Sequence, residues 1–208
     1  MSIKIDKKEF FYIFVLGMVL FTAFFPNYFL QISVLNYLRA ILNIIFSAGV
    51  TLYAIIFKRY NSSLIFIIGY ILTEIISTFI NGGSISSAIY GQGILLLGLC
   101  IAVQIAYERN ERLFLKTVYG LFYILVLINY LSIIIFPKGL YYDRHELDGI
   151  CFLLGNYNGF IIYILFALIP GYIYEMKFKQ KLTWKYIVFC LLVIATYLQV
   201  HSVTSTVG

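Results

Sequence analysis

The sequence predicts an all-α fold, a polytopic transmembrane helix bundle of about seven helices in a single domain over residues 1–208. Hydrophobic residues make up 62% of the 208-residue chain, and charged residues only 12%. The hydrophobic residues are gathered in seven apolar stretches between Phe10 and Val207. A hydrocarbon core is crossed by about 20 helical residues, and a backbone in lipid must satisfy its own hydrogen bonds. Each stretch is therefore expected to be a spanning helix.

The predicted spans follow one another with short polar turns between them. They cover approximately residues 10–25, 34–57, 63–80, 88–107, 113–136, 151–174 and 184–207. The first has a basic flank but no small-residue cleavage site after it, which favours a retained signal anchor over a removed signal peptide. The sequence shows no internal repeat and no linker long enough to divide it, so one domain is predicted.

Lysine and arginine residues fall on alternate sides of these spans. Twelve of the 15 lie before the first span, or in and beside the loops that follow spans two, four and six. The other side holds Arg39, Lys138 and Arg144. Because basic loops stay in the cytoplasm, the N-terminus is predicted to be cytoplasmic and Gly208 to lie outside.

The net charge of +6 does not indicate a nucleic-acid partner. The basic residues sit in short loops at helix ends and form no patch that could follow a nucleic-acid backbone, whereas anionic lipid headgroups suit them. The three cysteines stand alone in apolar runs, with no CxxC pair and no histidine cluster nearby. They are expected to pack between helices rather than to bind a metal.

Two predicted helices carry polar side chains at steps of three and four residues, which places each set on one helix face. The first stripe consists of Asn36, Arg39, Asn43, Ser47 and Thr51, and the second of Tyr70, Glu74, Ser77 and Asn81. With a rise of about 1.5 Å per residue, Arg39 and Glu74 lie at nearly the same depth and are candidates for an ion pair. In the alternative, Arg39 reaches the lipid headgroups and Glu74 is protonated or bonded to a neighbouring hydroxyl.

Polar residues in the other helices also favour the outer half of the bundle. They are Gln92, Asn129, Ser132, Gln199, His201 and Ser202. Taken singly, each is accounted for by an interhelical hydrogen bond worth about 0.6–2 kcal/mol. Taken together, they predict a polar cavity that opens to the outer leaflet, because polar groups inside lipid are costly and tend to mark a site.

The most unusual local motif is Gly155-Asn156-Tyr157-Asn158-Gly159, which is predicted to lie about two turns into the sixth helix. Two glycines and two asparagines weaken a helix and expose backbone groups, which membrane depth tolerates only within protein or beside a wet cavity. A close helix crossing at the glycines is the alternative. The external loop before the motif, 137–149, is rich in acids and bases, and a solvated loop is its simpler interpretation.

This motif and its surroundings resemble a known family. A charged external loop leads into Phe152-Leu153-Leu154-Gly155-Asn156-Tyr157-Asn158-Gly159-Phe160, and one helix later the chain ends Val200-His201-Ser202-Val203-Thr204-Ser205-Thr206-Val207-Gly208. The pattern is similar to the bacterial O-antigen and capsular polysaccharide polymerases of the O-antigen ligase superfamily. Members combine a G-N-x-N-type helix entry with a Ser/Thr-rich stretch. The resemblance is specific over Leu140–Gly208 and concerns only topology before that.

The resemblance implies a multi-pass protein of the bacterial plasma (inner) membrane that polymerises oligosaccharide repeat units in the extracytoplasmic leaflet. The growing glycan would pass from undecaprenyl pyrophosphate to the next lipid-linked unit, without metal, cofactor or nucleotide sugar. The implied partners are the undecaprenyl-pyrophosphate-linked oligosaccharide, membrane lipids and a polysaccharide chain-length regulator.

Site candidates come from the motif positions and from residue chemistry. Transfer needs a cation for the departing pyrophosphate, which Arg39 or Arg144 offers, and a base for the acceptor hydroxyl. The candidate bases are Asp143, His145, Glu146 and Asp148. The catalytic candidates are Arg144, His145 and Glu146, and the substrate-binding candidates are Arg39, Glu74, Gly155, Asn156, Asn158, Ser202, Thr204 and Ser205.

The chain departs from this family in one respect. Its members continue through further helices and a large extracytoplasmic loop with functional Arg and His residues. The chain is therefore expected to be an N-terminal portion, incomplete at its C-terminus and inactive alone, or else a truncated gene product or a different protein. Two other classes stay open: a flippase-like transporter of lipid-linked sugars, whose polar residues would lie at the midplane of paired halves, and a non-catalytic membrane protein.

Overall fold

The computed structural model describes residues 7–58, 63–84, 93–142, 150–155 and 157–204. Within these ranges the chain is mostly helical, which confirms the all-α prediction. The helices are α1 (Lys7–Ala23), α2 (Asn27–Leu30), α3 (Ser33–Ile56), α4 (Ser63–Ile80), α5 (Ile94–Arg109), α6 (Glu111–Ile135), α7 (Tyr157–Tyr174) and α8 (Trp184–Thr204). A π-helical segment, Glu175–Lys179, continues α7, and two short strands are β1 (Tyr141–Tyr142) and β2 (Ile150–Cys151).

Three of the described helices are long and apolar enough to cross a membrane. They are Ser33–Ile56, Glu111–Ile135 and Gly159–Lys179, the last of which joins α7 to the π-helical segment. Shorter apolar helices cover Ile13–Ala23, Ile65–Ile80 and Trp184–Ala195. Each predicted span thus contains a helix, and three of these helices have the length and composition of a membrane span.

The helices pack into two compact units. The first contains α1, α3, α4 and α5, and the second contains α2, α6, α7, α8 and the two strands.

In the first unit, α3 packs closely against α5. A Cβ atom added at Gly98 would lie 2.5 Å from both the Cα and the Cβ of Ser47, so the backbones of the two helices come close together at this point. Farther along the same pair of helices, Ala54 and Ile101 are buried together. Small residues permit such close approaches in membranes, where helix association depends on packing rather than on the hydrophobic effect.

In the second unit, α6 packs against α7 and α8 through aromatic side chains. Phe122 of α6 is fully buried and stacks on Phe166 of α7, with ring centroids 5.0 Å apart. Tyr123 of α6 contacts Phe189 of α8, with ring centroids 4.9 Å apart. Each such ring pair stabilises the fold by about 0.5–1.5 kcal/mol beyond the contribution of the apolar area that it buries.

The sixth predicted helix begins later than the sequence indicates. β1 and β2 pair antiparallel, and Phe152 then exchanges two backbone hydrogen bonds with Gly155, so α7 begins only at Tyr157. The prediction that the 155–159 motif lies two turns inside a helix is therefore wrong, because the motif spans the start of α7. Gly155 has a φ of 107°, which glycine adopts without the strain that a side chain would impose.

Candidate ligand-binding cavity

The first unit contains a cavity of about 440 Å³. Its lining residues are Val19, Thr22 and Ala23 of α1, Arg39, Asn43, Phe46 and Ser47 of α3, Tyr70 of α4, and Leu95, Leu96, Gly98 and Leu99 of α5. All four helices of the unit contribute to it. Cavities between bundled helices, with mostly apolar walls and a few converging polar groups, are common ligand sites.

The first polar stripe faces the other helices of the unit, as the sequence predicts. Asn43 and Ser47 are buried, whereas Ile44 and Ile45 beside them are exposed by half or more. Asn43 Nδ2 donates a hydrogen bond of 3.1 Å to the backbone oxygen of Thr22. That oxygen lies in the last turn of α1, where carbonyl groups have no partner within the helix. Asn43 therefore joins α3 to the end of α1 at the wall of the cavity.

Arg39 brings a positive charge to this cavity. Its Nε is buried and has no hydrogen-bond partner among the residues that the structure describes. The described lining includes hydroxyls, an amide and apolar groups, but no carboxylate. A buried donor left unpaired costs about 1–3 kcal/mol, so an acceptor from water or from a ligand is expected beside Arg39.

Thr51 continues the same stripe three turns beyond Arg39. Its Oγ1 is also buried without a hydrogen-bond partner in the described part of the chain. Two of the polar groups on this face of α3 thus have no hydrogen-bond partner among the described residues. Natural proteins leave few such atoms, and each one marks a place where water or a ligand completes the hydrogen bonding.

The candidate ion pair between Arg39 and Glu74 is not formed. No salt bridge joins these two described residues, and the hydroxyl of Tyr70 instead donates a hydrogen bond of 3.2 Å to Glu74 Oε1. This is the alternative in which Glu74 bonds to a neighbouring hydroxyl. Tyr70, one turn from Glu74, is the residue of α4 that lines the cavity with Arg39.

The rest of the second stripe also forms hydrogen bonds along its own helix. Asn81 Nδ2 donates to the backbone oxygen of Ser77 at 2.8 Å. The amide of Asn81 is therefore satisfied by a residue one turn away. Glu74 takes part in a further interaction within the chain, so the predicted role of Glu74 in substrate binding stays a prediction.

A second polar cluster, in the second unit, fixes the turn that contains Gly155. The backbone N–H of Leu154 donates to Asn129 Oδ1 at 2.9 Å, and that of Leu153 donates to Ser132 Oγ at 3.4 Å. Asn129 and Ser132 are buried in α6. The two polar residues thus satisfy backbone groups of a neighbouring turn, whereas the sequence suggests hydrogen bonds between helices.

The segment that carries α2 closes over the other side of this turn. The backbone N–H of Tyr28 donates to the oxygen of Leu153 at 3.1 Å, and the ring of Tyr28 lies 5.9 Å from that of Tyr141. A Cβ atom added at Gly155 would lie 2.6 Å from Asn27 Nδ2. Gly155 is therefore buried by protein at this point, and the geometry gives it a structural role.

The remaining site candidates fall at the edges of the described chain. Asn158 lies in the first turn of α7, and Ser202 and Thr204 lie in the last turn of α8. The candidates outside the described residues are Asp143, Arg144, His145, Glu146, Asp148, Asn156 and Ser205. Their roles stay predictions.

The cavity offers donors for an oxyanion rather than ligands for a metal. Among the described residues, no three His, Cys, Asp or Glu side chains come close enough to hold a metal ion. The guanidinium of Arg39 can donate two parallel hydrogen bonds to a phosphate, and charge-assisted bonds of this kind are about twice as strong as neutral ones. Amide and hydroxyl groups, such as those of Asn43 and Ser47, can orient a polar ligand.

Sequence reasoning missed two features that the structure shows. Thr22 of α1 lines the cavity, although a single threonine in an apolar helix gives no signal of it. Glu175 is 1% exposed and accepts hydrogen bonds from Lys179 Nζ at 2.7 Å and from the backbone N–H of Thr183 at 3.1 Å. The four-residue spacing of Glu175 and Lys179 is the signal that could have identified this pair.

Comparison of the chain with models of protein families, with characterised proteins and with solved structures found no match. The candidate site therefore rests on the geometry of the cavity.

Proposed function

We propose that this chain binds lipid-linked oligosaccharide repeat units in a bacterial plasma membrane and takes part in their polymerisation into O-antigen, capsule or exopolysaccharide. The proposal includes seven spanning helices with a cytoplasmic N-terminus, supported by the distribution of Lys and Arg. It also includes transfer of the glycan from undecaprenyl pyrophosphate in the extracytoplasmic leaflet. The resemblance of residues 152–160 and 200–208 to the polysaccharide polymerases supports that part.

The Arg39 cavity is the observation that carries the proposal. A cation on an apolar helix is costly unless an anion or a polar cavity accompanies it. Arg39 has a buried Nε that finds no partner in the described part of the chain, and the described lining of the cavity supplies no carboxylate. Pyrophosphate fits this environment, because the planar guanidinium matches its oxygens in pairs.

The proposed reaction moves a glycan between two lipid-linked molecules. The acceptor hydroxyl attacks the anomeric carbon of the donor, the bond from that carbon to the pyrophosphate oxygen breaks, and the hydroxyl proton passes to a base. Arg39 holds the pyrophosphate as its negative charge grows. His145 and Glu146 stay the predicted bases, and Arg144 stays the other cation that the sequence offers for the leaving group.

Deletion of the gene in its host tests this function against the transport alternative. Loss of a polymerase leaves surface glycans that are one repeat unit long, because export continues without chain growth. Loss of a transporter instead leaves lipid-linked units on the cytoplasmic leaflet, where an externally added glycosidase cannot reach them. A normal distribution of surface polysaccharide lengths after deletion would contradict both functions.

A variant at Arg39 tests the site itself. In the full-length protein, Arg39→Lys keeps the charge but loses the paired hydrogen bonds, so polymer length or yield is expected to fall while the protein still inserts in the membrane. Arg109→Lys, at the other end of the first unit, is the matched control and is expected to leave polymer length unchanged. A wild-type length distribution in the Arg39→Lys strain would refute the role of Arg39.

A further inference from the structure

The turn that joins α7 to α8 places two cations around one aromatic ring. The Cζ atom of Arg112 lies 5.9 Å from the centroid of the Phe178 ring, and Lys177 Nζ lies 5.8 Å from the same centroid. Arg112 belongs to the first turn of α6 and Lys177 to the last turn of the span Gly159–Lys179, so the cluster joins the start of one apolar helix to the end of another. The Debye screening length is about 8 Å at physiological ionic strength. Both cations lie closer than this to the ring centroid, so both can attract an anion that binds beside the ring.

The shape of this turn is fixed by Glu175. Its carboxylate accepts hydrogen bonds from Lys179 and from the backbone N–H of Thr183, the residue before α8. It thereby ties the π-helical segment to the start of α8. Glu175 is also the only acidic residue between residues 175 and 185, and it is buried. The exposed surface of the turn therefore carries basic side chains without an acidic one.

The exposed residues of the turn combine basic and aromatic character. Lys181 and Lys185 are exposed, and Trp184 between them is 73% exposed. Tryptophan favours the boundary between headgroups and acyl chains, and basic residues beside a span favour anionic lipids. Two candidate spans, Glu111–Ile135 and Gly159–Lys179, have one end at this cluster, so the cluster lies where a membrane surface would be.

We propose that Arg112, Lys177 and the 180–185 turn form a binding site for the headgroup of an anionic phospholipid. The lipid phosphate lies against Arg112 and Lys177, and Trp184 lies at the boundary between the headgroup and the acyl chains. A soluble anion would use the two cations but would have no use for an exposed tryptophan beside them. The site is independent of the proposed polymerase function and of the Arg39 cavity.

The chain supplies its own reporter for this site, because Trp184 is its only tryptophan. The full chain is reconstituted in bilayers of phosphatidylcholine, and a fraction of the lipid is replaced by dibrominated phosphatidylglycerol or by dibrominated phosphatidylcholine. Bromine quenches tryptophan fluorescence at contact. We expect the anionic lipid to quench at a several-fold lower mole fraction than the zwitterionic lipid, and the difference to shrink as salt is added.

The variant Arg112→Gln/Lys177→Gln tests the two cations. Each cation removed is expected to weaken the preference for phosphatidylglycerol by about fivefold. Lys138→Gln, an exposed residue beyond the other end of α6, is the matched control and should keep the wild-type preference. Equal quenching of the wild-type chain by the two lipids would overturn the proposal, as would a preference that survives in the double variant.

Two further measurements keep the test decisive. If the double variant does not fold, a preference of the wild-type chain that does not change between low and high salt overturns the proposal. Inorganic phosphate is added as a competitor at millimolar concentration. Loss of lipid quenching in its presence would identify a site for a soluble anion and would also overturn the lipid assignment.

Discussion

The side-chain oxygen of Asn129 accepts a hydrogen bond of 2.9 Å from the backbone N–H of Leu154, and both residues are buried. One residue of α6 thereby fixes the turn that precedes α7. We predict that Asn129→Leu leaves the Leu154 N–H unpaired and lowers the free energy of unfolding by about 1–3 kcal/mol.

Thermal unfolding followed by circular dichroism in detergent measures this change. Asn81→Leu is the control, because Asn81 is exposed and its amide, among the described residues, bonds to Ser77 alone. We expect the control to change stability by less than about 0.5 kcal/mol. Equal effects at the two positions would show that the Asn129 bond does not hold the turn.

The crossing of α3 and α5 makes Gly98 sensitive to a single methyl group. A Cβ atom there would lie 2.5 Å from the Cα of Ser47, a backbone atom that cannot move without its helix. We predict that Gly98→Ala destabilises the first unit by about 1–3 kcal/mol through overpacking. Adding Ser47→Gly should restore only part of this loss, because the Cα of residue 47 remains.

Gly69→Ala is the matched control for this crossing, since nothing lies within 4 Å of a Cβ atom at Gly69. Alanine favours helix over glycine by about 0.5–1 kcal/mol, so the control should be neutral or stabilising. Denaturant unfolding in detergent compares the two variants. A stabilised Gly98→Ala protein would show that the helices do not meet at Ser47.

The cavity around Arg39 should be stabilised by a phosphate-bearing lipid. A ligand at 100 times its Kd raises the free energy of unfolding by about 2.7 kcal/mol. We predict that a short-chain prenyl pyrophosphate raises the Tm of the wild-type chain and that the uncharged prenol of equal length does not. Arg39→Gln should abolish the rise and Arg109→Gln should keep it. A rise of equal size in Arg39→Gln would place the ligand elsewhere.

The buried carboxylate of Glu175 depends on Lys179. Lys179→Met removes the charge that compensates Glu175, whereas Lys181→Met removes an exposed lysine in the same turn. We predict a loss of about 1–3 kcal/mol for the first and less than about 0.5 kcal/mol for the second. Chemical unfolding of both variants checks this difference, and equal stabilities would mean that Glu175 needs no partner.

The proposed topology is tested with reporter fusions along the chain. Fusions after Asn81 and Lys138 should report an external location, and fusions after Arg59 and Lys179 a cytoplasmic one. The expectation follows from the distribution of Lys and Arg, twelve on one side and three on the other. Inversion of any pair would refute the seven-span arrangement.

The helices and their buried faces could be predicted because both depend on local periodicity. The stripe of α3 is an example, since its four-residue steps place Asn43 and Ser47 on the face that the structure buries. The start of α7 could not be predicted in this way. The run Cys151–Leu154 is apolar enough for a helix, but its conformation depends on pairing with β1 and on Asn129, which are distant in sequence.

The pairing of Arg39 with Glu74 failed for a related reason. A depth estimate based on rise per residue treats neighbouring helices as parallel rods with their ends level. The estimate places Glu74 level with Arg39. In the structure the residue of α4 that lines the cavity with Arg39 is Tyr70, which precedes Glu74 by one helical turn. Helix tilt and offset are set by packing, which the spacing of residues along one helix does not contain.

The conformation of Gly155 changes how genetic data on this chain should be interpreted. Its positive φ strains any side chain at this position, whatever molecule the protein binds, and a Cβ atom there would also displace the Asn27 side chain. A screen for inactive variants would therefore find Gly155 intolerant even if no substrate ever touched it. In such a screen, variants at Gly155 would mark the integrity of the turn, and those at Arg39 would provide the separate measure of ligand recognition.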